Sequence, residues 1–302
     1  MDGYPSGRTV RQDGTELVWF DGGLREGAPV ILCDGLGCDG FAWRRIAPAL
    51  ESRHRVFHPH YRGHGNSSMA GGIDRASWRR AAGDGYGMPV LAADVLACMD
   101  EAGVPEGVFF GHSMGVQIAL EAALMAPSRV KGLVLVCGSP GRPLDTAGDS
   151  DRLKRLLPVI RRLVEAIPEV ASAVTSSVLP TELAWRVAQL LEVDGKLLAR
   201  ADMMAYLEHM ARIDPRVFLE TLDEAAQHST SERLGDVRSP ALVIGGERDG
   251  FTPFWVSELM GEKLPNARTV MLRAGTHTAQ LEQWELFERL VLEFLGDLPQ
   301  AS

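Results

Sequence analysis

The chain has 302 residues, 45% of them hydrophobic, enough for one large α/β domain or one such domain carrying an insertion. A formal charge of -9, with no Lys/Arg-rich run to offset it, argues against nucleic acid or an anionic membrane as partner and favours small or neutral molecules. Cys33, Cys38, Cys98 and Cys137 form neither a disulfide framework nor a Cys-x-x-Cys pair, and no apolar run reaches membrane-spanning length, so the expectation is a soluble, cytoplasmic protein.

In chain order, Thr9 to Arg11 and Glu16 to Phe20 bracket Asp13-Gly14, the signature of a two-residue hairpin. Val30 to Cys33 reads as a buried strand, Trp43 to Leu50 as a helix, and Arg55 to His58 as another strand. Pro89 opens a helix running to Asp100, because proline is tolerated in the first helical turn. The apolar run Val108 to Phe110 is a strand, and a helix-like stretch extends from Val116 to Met125. Val130 to Cys137, Ala241 to Gly245 and Arg268 to Leu272 add three strands, and an amphipathic helix closes the chain. Strands that alternate with helices imply an α/β fold, with a mostly parallel sheet covered by helices on both faces.

From about Gly138 to Leu234 the alternation stops. Arg152 to Ala166, Glu182 to Leu191, Lys196 to Met210 and Pro215 to Ala226 read as helices with no convincing strand between them. Pro140, Pro143 and Pro240 punctuate the junctions. The expected organisation is a core over residues 1–138, a helical insertion over 139–234, and the rest of the core over 235–302.

Gly111-His112-Ser113-Met114-Gly115 stands between the Val108 to Phe110 strand and the following helix. Small residues two places before and after the serine let the backbone make a strained turn that presents the hydroxyl as a nucleophile. The backbone N–H of Met114 then points to where an oxyanion would form. Such a serine needs a base. His277 follows the last strand on the loop Ala274-Gly275-Thr276, where a neutral imidazole can accept the serine proton and return it to a leaving group. Asp249 lies at the carboxyl end of a strand, where catalytic groups gather in such sheets, and its carboxylate would fix the histidine tautomer and stabilise the imidazolium. Glu247 and Asp223 are the substitutes for Asp249.

Other suggestive residues have plainer readings. His112 packs or hydrogen-bonds beneath the turn, and His58, His60 and His64 do not present three ligands to one point. Cys33 and Cys38 read as ordinary semi-buried thiols, and the Gly-rich runs near Gly22 and Gly83 lack phosphate-loop spacing. No metal, nucleotide or other cofactor is implied.

With these motifs the chain resembles the α/β-hydrolase superfamily, in the branch with a helical cap inserted after the sixth core strand. The resemblance spans nearly the whole chain. It rests on Gly111 to Gly115, on Asp34-Gly35-Leu36-Gly37, on Tyr61-Arg62-Gly63-His64-Gly65-Asn66-Ser67, and on Asp249 and His277, which follow the nucleophile in the family's order. It implies a second oxyanion donor in the backbone N–H of Leu36. The family normally carries His-Gly in that loop, so Asp34 is a departure.

Within the insertion, Trp185, Met203, Met204, Tyr206, Met210 and Phe218 recur at helical spacing and read mainly as the insertion's own core. Trp185, Met204 and Tyr206 are the candidates to line an apolar pocket above Ser113. The expected activity is hydrolysis of a carboxylic ester of a small, hydrophobic substrate through an acyl-enzyme. The same scaffold hosts lactonases, thioesterases, cofactor-free haloperoxidases and hydrolases of carbon-carbon bonds in diketone-like compounds. A small-molecule receptor that kept the pocket is the non-enzymatic alternative. Oligomeric state is left open.

Overall fold

The computed structural model describes residues 5–72, 85–146, 150–191 and 198–299; Gly83 and the expected helix start at Lys196 lie outside them. Eight strands alternate with the helices: β1 (Gly7–Val10), β2 (Glu16–Gly23), β3 (Pro29–Cys33), β4 (Arg55–Pro59), β5 (Gly107–His112), β6 (Val130–Val136), β7 (Ala241–Gly246) and β8 (Ala267–Leu272). Before β6 come α1 (Ala47–Glu51), α2 (Met88–Glu101) and α3 (Met114–Met125). Between β6 and β7 come α4 (Pro143–Thr146), α5 (Ser150–Ala166), α6 (Pro168–Val178), α7 (Glu182–Leu191), α8 (Arg200–Met210) and α9 (Pro215–Gln227). The chain closes with α10 (Phe254–Lys263), α11 (Ala279–Glu282) and α12 (Trp284–Asp297).

All eight strands form one sheet in the order β1-β2-β4-β3-β5-β6-β7-β8. β1, β2 and β4 pair antiparallel, and every pairing from β4 through β3 to β8 is parallel. The period of two along each central strand sorts side chains onto the two faces. Ile31, Phe109, Leu133 and Leu135 join α2 and α3 in one buried cluster. Their neighbours Val30, Leu32, Phe110 and Val134 join Trp43, Leu50 and the Phe287, Val291 face of α12 in the other. A sheet buried on both sides in this way explains strands that read as continuous apolar runs.

The strand order fixes the place of the site. From β3 the chain crosses to β4 on one side and later to β5 on the other, so the loops after β3 and β5 diverge at their carboxyl ends and leave a crevice between them. Asp34 to Leu36 and Ser113 flank that crevice.

Three local expectations change. The first hairpin is closed by residues 11–15 rather than by two residues. Asp13 Oδ1 accepts the Thr15 N–H in an Asx turn and Gly14 takes φ 86°, while Val10 already pairs with Glu16. The stretch from Trp43 to Leu50 splits into a single 3-10 turn at Phe41–Trp43 and the short α1, whose Pro48 sits at a helix start. Two helices of ten or more residues were not anticipated, α6 and α10, because Ser, Thr and Val in α6 and Gly261 in α10 weaken the helical signal; nor was the single turn α4.

Candidate active site

Ser113 joins β5 to α3 with φ 55° and ψ -119°, outside the usual region for a side-chain-bearing residue. The turn is so tight that its flanking glycines cannot carry a Cβ. One at Gly115 would lie 2.0 Å from the Cys33 carbonyl oxygen, and one at Gly111 would lie 2.5 Å from the Gly115 carbonyl oxygen. Met114 opens α3, so its N–H has no acceptor within the helix.

His277, on the loop between β8 and α11, reaches Ser113 with Nε2 at 3.0 Å from Oγ. Its Nδ1 lies 2.9 Å from Asp249 Oδ2 and 3.1 Å from Oδ1. A carboxylate only accepts, so Nδ1 carries the proton and Nε2 keeps a lone pair for the serine hydroxyl. Asp249 is buried and further held by the Thr252 hydroxyl at 2.8 Å and by the N–H groups of Phe251 and Thr252, each at 2.9 Å. Burial opposes its charge, but His277 and the Thr252 hydrogen bonds outweigh that and hold the carboxyl below its ordinary range.

His112 supports this arrangement from beneath. Its Nε2 donates to the His277 carbonyl at 3.0 Å, and burial together with neighbouring His277 pushes its pKa down to about 4, so it stays neutral. The loop after β3 is braced by Asp34, whose Oδ2 accepts the Gly40 N–H at 2.8 Å and lies 2.6 Å from His58 Nε2. Tyr206 of α8 donates its hydroxyl proton to the Leu36 carbonyl at 3.3 Å, which ties α8 to the same loop.

A cavity of about 230 Å³ opens beside the serine, lined by Leu36, Ser113, Met114 and His277 and walled by apolar Leu144, Phe218, Leu222 and Phe251. A smaller cavity of about 40 Å³ shares Leu36, Ser113, Tyr206 and His277 with it and is lined further by Gly35, Cys38, Phe41 and Met203. The structure thus brings Ser113, Asp249, His277, Leu36, Met114 and Tyr206 together. It does not bring Trp185 and Met204 to either cavity: both pack in a cluster with Cys38, Phe41, Met203 and Leu207. Asp223 binds Arg161 at 2.7 Å and Glu247 accepts the Ala274 N–H, so neither substitutes for Asp249. Sequence reasoning missed Thr252, Phe251 and Leu144. Thr252 had a signal in its spacing, three residues after an aspartate that turns the chain. Among the described residues no group of three or more His, Cys, Asp or Glu side chains is placed to hold a metal.

The family model for the alpha/beta hydrolase fold matches residues 28–283. The chain belongs to the α/β-hydrolase family. This hydrolase is 27% identical over 281 residues to the carbamate hydrolase RutD of Azorhizobium caulinodans, covering 91% of this chain and 93% of that protein. It is 25% identical over 277 residues to the pimeloyl-[acyl-carrier protein] methyl ester esterase of Aeromonas hydrophila, covering 90% and 96%. Its fold matches the crystal structure of a hydrolase from Pseudomonas aeruginosa PA01 with a TM-score of 0.75 at 24% identity, covering 98% of this chain and all of that one.

Proposed function

We propose that this α/β hydrolase cleaves a carboxylic ester of a small, hydrophobic substrate through an acyl-enzyme on Ser113. The observation that carries the reading is the unbroken hydrogen-bond chain from Ser113 Oγ through His277 to Asp249 at the mouth of an apolar cavity. The likeness to a methyl ester esterase supports it.

In this mechanism Ser113 Oγ attacks the ester carbonyl carbon while its proton passes to His277 Nε2. The oxyanion is held by the N–H groups of Leu36 and Met114, each donor being worth about 3 kcal/mol where such a hole has been dissected. Collapse breaks the bond to the alcohol, which leaves with the proton from His277. Water then attacks the acyl-enzyme, His277 taking one of its protons and returning it to Ser113. Asp249 keeps its negative charge throughout and stabilises the imidazolium. The smaller cavity, about 40 Å³, receives the small alcohol, and the larger one receives the acyl chain. The helices between β6 and β7, over residues 139–234, serve as the cap that supplies Tyr206, Leu144, Phe218 and Leu222 to that cavity.

The test is hydrolysis of methyl esters of increasing acyl length by the wild type and by Ser113→Ala. The reading predicts turnover in the wild type and a loss of several orders of magnitude in the variant. Turnover that survives in Ser113→Ala contradicts it.

A further inference from the structure

A third cavity, of about 300 Å³, lies within the insertion, away from the serine, between α4, α5 and α9. Its walls are Leu157 and Pro158 of α5 with Leu219 and Ala226 of α9. Helix α9 separates it from the catalytic cavity by ordinary helical geometry. Phe218, Leu222 and Ala225 recur at i, i+4 and i+7 toward the inner space, and Leu219, Asp223 and Ala226 recur one position later toward the outer one. Among the described residues one side chain lines both spaces, Leu144 on the single-turn helix α4.

The outer cavity also has the wrong chemistry for an anion. Its one cation, Arg161, is already bound to Asp223 at 2.7 Å, to Glu165 at 3.2 Å and to Glu220. Three carboxylates neutralise that guanidinium, and apart from Asp223 and Gln227 the rest of the wall is apolar. What fits is more hydrocarbon.

We propose that Leu144 sets the acyl-chain length this enzyme accepts: a saturated chain entering from Ser113 ends against Leu144, and the outer cavity is the space it would occupy if that side chain were removed. The proposal rests on the ester reading above for its catalytic form, but the two cavities and their partition exist independently of it. Leu144 is 7% exposed and sits on one turn of helix, not in the sheet. Truncating it leaves the sheet and its two core clusters untouched.

Two measurements separate the proposal from the reading beneath it. The first is kcat/KM for methyl esters of saturated acids from C4 to C14, in the wild type, Leu144→Ala and Leu144→Phe. Each methylene that finds apolar room should raise kcat/KM about four-fold, until the chain meets a wall. The wild-type profile should break at one length, the Leu144→Ala break should move several carbons longer, and the Leu144→Phe break should move shorter. The second is calorimetric binding of the corresponding saturated carboxylic acids to Ser113→Ala and to Ser113→Ala/Leu144→Ala, which requires no turnover. Longer acids should gain affinity only in the double variant. Breaks at the wild-type length in both Leu144 variants, or identical binding series with and without Leu144, overturn the proposal. A shifted binding series without ester turnover in the wild type keeps the partition and discards the ester reading.

Discussion

Asp34 and His58 form a fully buried pair, Oδ2 to Nε2 at 2.6 Å, between the ends of the neighbouring strands β3 and β4. Where the family commonly carries a histidine after the third strand, this chain places a carboxylate there and a histidine on the adjacent strand. Burial opposes the charge on Asp34, but His58 and the Gly40 N–H outweigh it and hold the carboxyl below its ordinary range. Asp34 closes the loop that carries Leu36 through the Gly40 N–H and, through His58, ties its start to β4.

His58→Ala removes one side of that pair and leaves Asp34 buried with the Gly40 N–H. Breaking a buried pair in this way costs about 3 to 5 kcal/mol. The melting temperature should fall by several degrees and kcat should fall with it, because the Leu36 donor loses its support. A variant that melts with the wild type contradicts the role given to the pair.

The buried histidines set the acid limit of the fold. Burial lowers the pKa of His60 to about 3 and those of His64 and His112 to about 4, whereas an unfolded chain takes up these protons near pH 6.5. Their folded values are depressed, so their contribution is complete above about pH 6.5 and is lost as pH falls toward 4, where the unfolded state binds more protons. Three such groups give a slope of up to about 4 kcal/mol per pH unit near pH 5. Asp34 and Asp249, also depressed, add to the loss only below about pH 4. Thermal melts from pH 7.5 to 4.5 should show a steep decline beginning near pH 6; a flat melting temperature over that range contradicts the burial of neutral imidazoles.

The triad assignment makes a separate demand on Asp249. Asp249→Asn keeps the volume and can keep hydrogen bonds from Thr252, but its amide favours the other imidazole tautomer, with Nδ1 as acceptor and the proton on Nε2 facing Ser113. Turnover should fall about 10⁴-fold with little change in melting temperature. Single-turnover kinetics beside a thermal melt checks both halves, and a loss of less than ten-fold is the contrary result.

Gly115→Ala tests the elbow itself. The new methyl would sit 2.0 Å from a backbone oxygen of the β3 end, which no side-chain rotation can relieve. The expected cost is on the order of 4 kcal/mol, or failure to accumulate folded protein. Gly235→Ala, where nothing lies within 4 Å of the added carbon, is the matched control and should melt near the wild type. Equal stability of the two variants contradicts the close approach.

The sheet was legible in the sequence because strands such as Ala241–Gly246 are buried on both faces and read as unbroken apolar runs. The elbow and its partners were legible because glycine, serine, aspartate and histidine each answer a local requirement of backbone or proton chemistry. The insertion was harder. Trp185 and Tyr206 look alike in the sequence, apolar bodies on helices at similar spacing, yet Trp185 packs beside Met203 while Tyr206 reaches the Leu36 carbonyl. Which face of a helix meets a cavity depends on how whole helices are docked, and that is set by long-range packing. Leu144 was missed for the same reason, since its role comes from two spaces that only the folded chain creates.

The most direct test of the central claim is the mass of the enzyme caught during turnover. Acid-quenched reaction with a methyl ester, followed by digestion and mass spectrometry, should add one acyl group to the peptide containing Ser113. The same adduct should be missing in Ser113→Ala. Steady ester turnover with no acyl group on Ser113, or with an adduct on another residue, contradicts the acyl-enzyme mechanism.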